Sequence, residues 1–402
     1  MHATRMQYRV GHGGFHATVV QLSPAGTLTY IYDVGAYPSV GLLGNAIDAF
    51  ITELQSASIS VVDYIFISHI DEDHVNRLPI LIAKLSGAGI AVTTLVLPWL
   101  SGVSKLFALM GLKDRDTGAI ASDLLQSDIN VMQVAADLGF SGVAFVRGEV
   151  EGATDDVDAI APIPSAFNEQ GVEVPATIVP SGHDVVTSAT PWRLTVAQLG
   201  LPADITSEFL RILLGKTGLD PDNEADRRKL VATKARRAEV SDAMREVGKA
   251  LDIPRAHVTI TNWSSLSLYS TSTNGFQRHS VPLATQVGFA HSCEHAWLHT
   301  GDLPLDVDRV WQAFKTVWDD ANVFGPVCAV VAPHHGSQHG HNIELYRRFD
   351  PTVTVFTFGL NVGTTRANIK WSKLLNPQPV MKAVRGLGVS KLRLLNNRST
   401  AL

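Results

Sequence analysis

Ser68-His69-Ile70-Asp71-Glu72-Asp73-His74 stands directly behind the apolar segment Val61 to Ile67. Two imidazoles and three carboxylates crowded at a buried strand end repel or desolvate one another unless a cation balances them, because unpaired buried charge is costly. On this stretch alone two readings are open. One is a dinuclear metal site. The other is an acidic turn capping a helix that starts near His74, with Asp71 or Asp73 as its N-cap.

Working outward, Leu78, Leu81, Ile82 and Leu85 recur at helical spacing, with Pro79 tolerated in the first turn. Ala91 to Leu97 reads as a buried strand. Upstream, Phe15 to Leu22, the turn Ser23 to Gly26 and Thr27 to Val34 predict a hairpin ending in Asp33-Val34-Gly35, and Leu42 to Leu54 predicts a helix. Strand, ligand loop, helix and strand form the α/β pattern in which sites lie at the carboxyl ends of strands. The apolar stretch Ile80 to Leu100 raises the question of a membrane span, but Lys84, Gly87 and Gly89 interrupt it. It reads as a helix end, a turn and a strand.

The 402 residues are 45% hydrophobic and 18% charged, which predicts a folded globular chain with a sizeable core. A net charge of -5 argues against polyanion binding over the whole surface and leaves room for a local basic face. Cys293 and Cys328 cannot form a disulfide framework, and no signal-peptide pattern opens the sequence, so a cytoplasmic protein is expected.

Further along, Ser101 to Leu138 is helical in pattern, and Gly139 to Pro180 is rich in Gly, Pro and acidic residues. The strand Trp192 to Leu199 precedes a helical stretch from Pro202 to about Leu251. That stretch carries Arg227-Arg228-Lys229, Lys234, Arg236, Arg237, Arg245 and Lys249. These form either a solvated face balanced by Glu224, Asp226, Glu239 and Glu246, or a phosphate-steering arm. His257 to Thr261 and Ser264 to Tyr269 read as strands, Val307 to Val317 as a helix, and Thr352 to Phe358 as a strand. A helix near Val380 to Val384 and a strand Lys391 to Leu395 complete the expectation. Ala296 to Thr300 runs into Gly301-Asp302, and Val327 to Val331 leads to Pro333-His334-His335-Gly336-Ser337. Alone, Asp302 reads as a turn residue and the His pair as polar side chains of a surface loop. Three ligand-rich spots, each behind a strand, point jointly to a metal.

With these residues in place the chain resembles the metallo-β-lactamase superfamily, and within it the nuclease-like soluble domain of the ComEC competence proteins. The resemblance rests on Val10-Gly11-His12-Gly13, Asp33-Val34-Gly35, His69 to His74 with Asp71 where a His is usual, Asn262 to Leu266, Thr300-Gly301-Asp302 and Pro333 to Ser337. It covers roughly residues 5–100 and 180–395. The resemblance does not extend to the channel part of ComEC, and Gly359-Leu360-Asn361 is followed by no His-Pro.

The resemblance implies a four-layer αββα metallo-β-lactamase fold with a helical insertion. The expected organisation is one domain over 1–402, with the insertion at 203–253 and a helical and loop extension at 101–175. It further implies two divalent metal ions, Zn or Mn, with Mg also suited. His69 and Asp71 would hold one, Asp73 and His74 the second, and Asp302 would bridge them. His334 is the first choice to complete the set, and His335 then moves protons; the reverse assignment is also open. One ligand of the usual set lacks a counterpart, for which His183, His279, His291, His295 and His299 are candidates. Paired cations make hydroxide available near neutral pH and clamp a phosphoryl or carbonyl oxygen, with Asp73 orienting the nucleophile. Asn262, Ser337, Arg236 and Arg237 are candidates for binding substrate.

Asp71 makes the first site harder, which favours phosphodiester hydrolysis of DNA or another nucleic-acid or nucleotide substrate. The alternatives are a hydrolase of lactams, lactones, thioesters or esters, and a non-catalytic metal-stabilised module that binds a partner. No membrane partner is expected.

Overall fold

A computed structural model describes residues 2–8, 10, 12–22, 26–37, 40–112, 119–148, 166–168, 170–186, 190–273, 283–284, 288–292, 296–321, 327–334, 340, 342, 344–345, 348, 354–358, 381–386 and 392–395. Two mixed sheets lie face to face with helices on both outer surfaces. Among the described residues the first sheet runs β13 (Leu283–Ala284), β14 (Gly288–Ser292), β1 (His2–Tyr8), β2 (His12–Leu22), β3 (Gly26–Tyr37), β4 (Val61–Phe66), β5 (Ala91–Pro98), β6 (Gly142–Arg147) and β9 (Ala176–Pro180). Its first strands pair antiparallel, and β3, β4, β5, β6 and β9 are parallel. The second sheet runs β10 (His183–Asp184), β11 (Trp192–Ala197), β12 (Ser267–Ser272), β15 (Ala296–His299), β16 (Val327–Val331), β17 (Thr354–Phe358), β18 (Met381–Gly386) and β19 (Leu392–Leu395). Among the described residues the short strands β7 (Ala166–Phe167) and β8 (Glu173–Val174) pair only with each other.

Alternation along the central strands creates the layers. Ile65, Leu95, Val143 and Phe145 point to one face of the first sheet, while Phe66, Val96, Ala144 and Val146 point to the other. The outer face packs on α1 (Val40–Ser56), α3 (Leu78–Gly87), α5 (Ala119–Gln126) and α6 (Asp128–Asp137) through Ile47, Phe50, Leu81, Leu85, Leu125 and Met132. The inner face meets Trp192, Leu194, Val196 and Leu268 of the second sheet. The far side of the second sheet is covered by α7 (Ala203–Thr217), α9 (Lys234–Ala250), α10 (Ala256–Asn262) and α11 (Asp308–Asp320), through Phe209, Met244, Ile260, Phe314 and Trp318. The helices α4 (Gly102–Gly111) and α8 (Glu224–Ala232) pack beside them, the former adding Leu106 and Phe107 to this core and the latter Leu230. This is the αββα layering expected from the resemblance.

Two elements differ from the sequence expectation. His257 to Thr261 is part of α10, not a strand. Its run of Val258, Thr259, Ile260 and Thr261 has strand-like composition, yet Ala256, Ile260 and Trp263 fall on one helical face and enter the core of the second sheet. The Thr259 and Thr261 hydroxyls donate to the carbonyls of Pro254 and His257, which suits β-branched hydroxyls to this helix. Residues near Val384 form β18, parallel to β17, where a helix was expected. Five apolar-rich residues do not distinguish the two periods, and the open edge of β17 decides between them. The stretch around Ile80 to Leu100 is α3, a turn with Gly89 at φ 71° and β5, and no helix among the described residues is long and apolar enough to cross a membrane.

Candidate metal centre

The cluster forms where β3, β4, β15 and β16 end side by side. Asp33 lies near the end of β3, Ser68 to Asp71 follow β4, Asp302 follows β15, and His334 follows β16. One turn of helix, α2 (Glu72–Val75), carries Asp73 and His74. Asp71 has the backbone position of an N-cap, but its side chain accepts no capping bond. Its Oδ2 lies 3.5 Å from His69 Nε2 instead. Asp71 thus stands where the cap reading puts it, without the side-chain bond of a cap, and its carboxylate is turned to the cluster.

Close backbone packing seats the ligand loop. A Cβ on Gly35 would stand 2.2 Å from the Asp73 carbonyl carbon, and one on Gly13 would stand 2.6 Å from the Asp73 oxygen. Only glycines let β2 and β3 pass this close beneath the loop. The Asn76 side chain bonds both backbone groups of Ala36, and Leu266 N–H donates to Ser68 O at 2.6 Å. Tyr32 Oη donates to Leu266 O at 2.5 Å, fastening the two sheets at this edge. Burial first, then the charges of Asp33 and Asp302, push the Tyr32 hydroxyl well above its ordinary pKa, so it stays a donor.

The donor atoms converge at spacings too long for hydrogen bonds. His69 Nε2 lies 3.9 Å from Asp302 Oδ2, His74 Nε2 is 3.7 Å from Asp302 Oδ1 and 3.9 Å from Asp73 Oδ2, and His334 Nε2 is 4.0 Å from Asp302 Oδ2. Two ligands bonded to one Zn²⁺ at about 2.0–2.2 Å stand roughly 3.3–3.6 Å apart in tetrahedral geometry. The spacings found here are close to that and longer than hydrogen bonds. His69, His74 and Asp302, all buried, offer ligand atoms within 4.8 Å of one another. Asp302 turns one oxygen to His74 and the other to His69 and His334.

Electrostatics fit a cation. His69 Nε2 is buried and, among the described residues, has no hydrogen-bond partner. Burial pushes the His69 imidazole down, but Asp71, Asp302 and Asp33 together outweigh it and raise its pKa to about 10. A ring that holds a proton so far above its ordinary range sits in a strongly negative field, the field a divalent ion would neutralise.

Behind the ligands, Asp33 fixes His74. Its Oδ2 lies 2.8 Å from His74 Nδ1, and it accepts from Ser68 Oγ at 2.9 Å and, through Oδ1, from Ser68 N–H at 2.7 Å. The carboxylate keeps the His74 proton on Nδ1 and leaves the Nε2 lone pair facing the cluster. Ser68 Oγ also lies 3.0 Å from His69 Nδ1. Asn262 Nδ2 is 3.4 Å from His334 Nδ1, so this residue, a substrate-binding candidate by sequence, stands against a ligand candidate. Neither Asp33 nor Ser68 is among the sequence candidates. Asp33-Val34-Gly35 carried the signal, but as a scaffold turn and not as the partner of a ligand.

The remaining candidates separate. His335 and Ser337 lie outside the described residues, as do His279 and His295. His183 is exposed on β10, and His291 lies on β14, whose backbone pairs with β1. His299 is buried between the sheets, stacked on Tyr32 at 4.3 Å and 4.4 Å from His16. Arg236 pairs with Glu239 one turn along α9, Arg237 follows it on the same helix, and Arg228 and Lys229 pair with Glu224 and Asp226 of α8. Arg227 leaves the basic row altogether: it is buried and donates to the carbonyls of Pro221, Asp222 and Gln126.

No protein-family model matches the chain, and no curated protein matches it. Among solved structures, a long-form RNase Z from yeast is similar over 89% of this chain and 36% of its own, at 9% identity and a TM-score of 0.36. The chain thus spans about a third of that enzyme's length. The short form of human tRNase Z is similar over 89% of this chain and 93% of its own, at 10% identity and a TM-score of 0.35. A B3 metallo-β-lactamase with an active-site glutamic acid is similar over 86% and 82%, at 8% identity and a TM-score of 0.29.

Proposed function

We propose that this chain is a metal-dependent phosphodiesterase or nuclease acting on nucleic acid or nucleotides. The observation that carries the reading is Asp302, whose two oxygens address separate imidazoles as a carboxylate shared by two cations would. His69, Asp71 and His334 would hold one ion and Asp73 and His74 the other, with Asp302 common to both. Bound Zn²⁺ or Mn²⁺ would supply an activated water near neutral pH and neutralise charge on the attacked group.

The chain's own residues do the rest. Asp33 and Ser68 hold the His74 ring at Nδ1, with Nε2 turned to Asp302 and Asp73, and Ser68 sets the His69 ring. Asn262 steadies His334 from Nδ1. Asp71, a carboxylate where the superfamily motif has an imidazole, makes the first position harder and suits it to Mn²⁺ and to phosphoryl oxygens. The finer resemblance to the ComEC nuclease-like domain points the same way.

The test combines elemental analysis of purified protein with assays in Mn²⁺, Mg²⁺ and Zn²⁺. Substrates are bis-p-nitrophenyl phosphate, single- and double-stranded DNA, RNA and cyclic dinucleotides. Cleavage of at least one phosphodiester, abolished in Asp73→Ala and Asp302→Ala, is expected. Hydrolysis confined to lactams or esters, or variants as active as the parent, would overturn the reading.

A further inference from the structure

We infer that a cavity beside the metal cluster binds an anionic group of the substrate, with Arg147 as its counter-ion. Naming that anion as a phosphate, further along the chain from the bond that is cut, rests on the phosphodiesterase reading above. The cavity and its cation do not.

The cavity has a volume of about 350 Å³. That lies at the small end of ligand sites, roughly 300–1,000 Å³, and suits a nucleotide-sized unit. It opens where β6 and β11 end together and α7 begins. Gly148 and Gly200 make this possible: a Cβ on Gly148 would stand 2.3 Å from Gly200 N, so the two chains cross backbone to backbone. Gln198 braces the same corner, its amide bonding both backbone groups of Trp99 at 3.0 and 2.6 Å.

The lining has one sign. Arg147 is its only charged residue among the described ones, and hydroxyls come from Ser101, Ser104, Thr206, Ser207 and Ser264. No Asp or Glu faces the cavity among the described residues. Arg147 is half-buried, and among the described residues its guanidinium makes no ion pair or hydrogen bond. Other arginines nearby are committed, as Arg193 is to Asp184 and Arg309 is to Asp204. A half-buried arginine on a cavity lined by hydroxyls, with no carboxylate among the described lining residues, is suited to receive an oxyanion in bidentate fashion.

The cavity also adjoins the metal cluster. A narrow cleft lined by His69 and Asp71 shares Ser104 and Ser264 with the larger space. A substrate whose reacting group sits at the ligands would reach over these serines to place a second anionic group on Arg147. This arrangement selects substrates longer than one phosphate.

The experiment compares the full-length parent, Arg147→Ala and Arg147→Lys with Mn²⁺, on bis-p-nitrophenyl phosphate and on a short oligothymidylate. The expected result is a fall of about tenfold or more in the ratio of kcat/KM for the oligonucleotide to that for the small ester in Arg147→Ala, carried by KM, with Arg147→Lys between. An unchanged ratio overturns the inference. If the parent cleaves no phosphodiester, the function reading has failed and the cavity is tested by calorimetry instead. Inorganic phosphate, citrate and a 5′-phosphorylated dithymidylate are titrated into parent and Arg147→Ala. Loss of binding in the variant supports the anion site, citrate alone marking a carboxylate and the dinucleotide a phosphate. Equal heats from both proteins overturn it.

Discussion

Replacing Asp33 with Asn tests how the centre is held without touching any ligand. The backbone tolerates the change, because Asp33 has φ 59° and Asn is among the residues that adopt this region. The chemistry does not. Asp33 is buried and serves three donors, Ser68 N–H, Ser68 Oγ and the His74 ring. An amide has one acceptor oxygen, so either orientation sets an N–H against a donor. With the oxygen kept on Ser68 N–H, the amide NH₂ faces His74 Nδ1. The ring then moves its proton to Nε2, the atom 3.7 Å from Asp302 Oδ1, and loses the lone pair that a metal needs. Loss of such a partner lowers metal affinity by about 10–100-fold. Weakening bonds to a charged acceptor costs about 1.5–3 kcal/mol of stability in the metal-free protein. Competition with a chromophoric chelator measures the first, and urea unfolding in EDTA the second. A variant that binds metal as tightly as the parent would refute the role given to Asp33.

Gly35→Ala places a methyl 2.2 Å from the Asp73 carbonyl carbon and 2.4 Å from His74 N. Backbone cannot yield cheaply there, so a loss of about 1–3 kcal/mol or more, with reduced metal content, is expected in denaturation and elemental analysis. His16 and His299 are held well below the ordinary imidazole range, by burial first and then by neighbouring charge, including Arg5. Both stay neutral in the fold while the unfolded chain takes up protons below about pH 6.5, so stability is full above that pH and falls beneath it. Each contributes a slope of up to about 1.4 kcal/mol per pH unit, and His299→Phe should remove one such contribution from urea unfolding between pH 7 and 5 in EDTA. Equal slopes for parent and variant would count against it. Arg227→Met strips bonds to three carbonyls, two in the turn before α8 and one at the end of α5, and should cost about 2–4 kcal/mol in unfolding while kcat/KM on any substrate stays at the parent value.

Much of the architecture was legible because it is written at short range. Alternation along Val61 to Phe66 and Ala91 to Leu97 marks strands buried on both faces, and Leu78, Leu81, Ile82 and Leu85 mark the covering face of a helix. Where composition and packing disagree the signal fails. Val258 to Thr261 favours a strand by residue type, and it is helical because Ile260 and Trp263 find the core of the second sheet from a helix. Arg227 looked like its basic neighbours, and only the carbonyls gathered around it show that it is buried.

The centre divides in the same way. The kinds of candidate ligand, their order and their positions behind strands follow from the sequence by itself, since His69, Asp71, Asp73 and His74 are neighbours and strand ends have local signatures. The tertiary structure alone decided that Asp71 turns to His69 instead of capping α2, that Asp302 divides its oxygens between imidazoles, and that Asp33 sets the His74 proton. Those outcomes depend on distances between strand ends far apart in the chain, as with Tyr32 and Leu266, 234 residues apart. Such distances are set by the packing of the two sheets, to which no single stretch of residues has access.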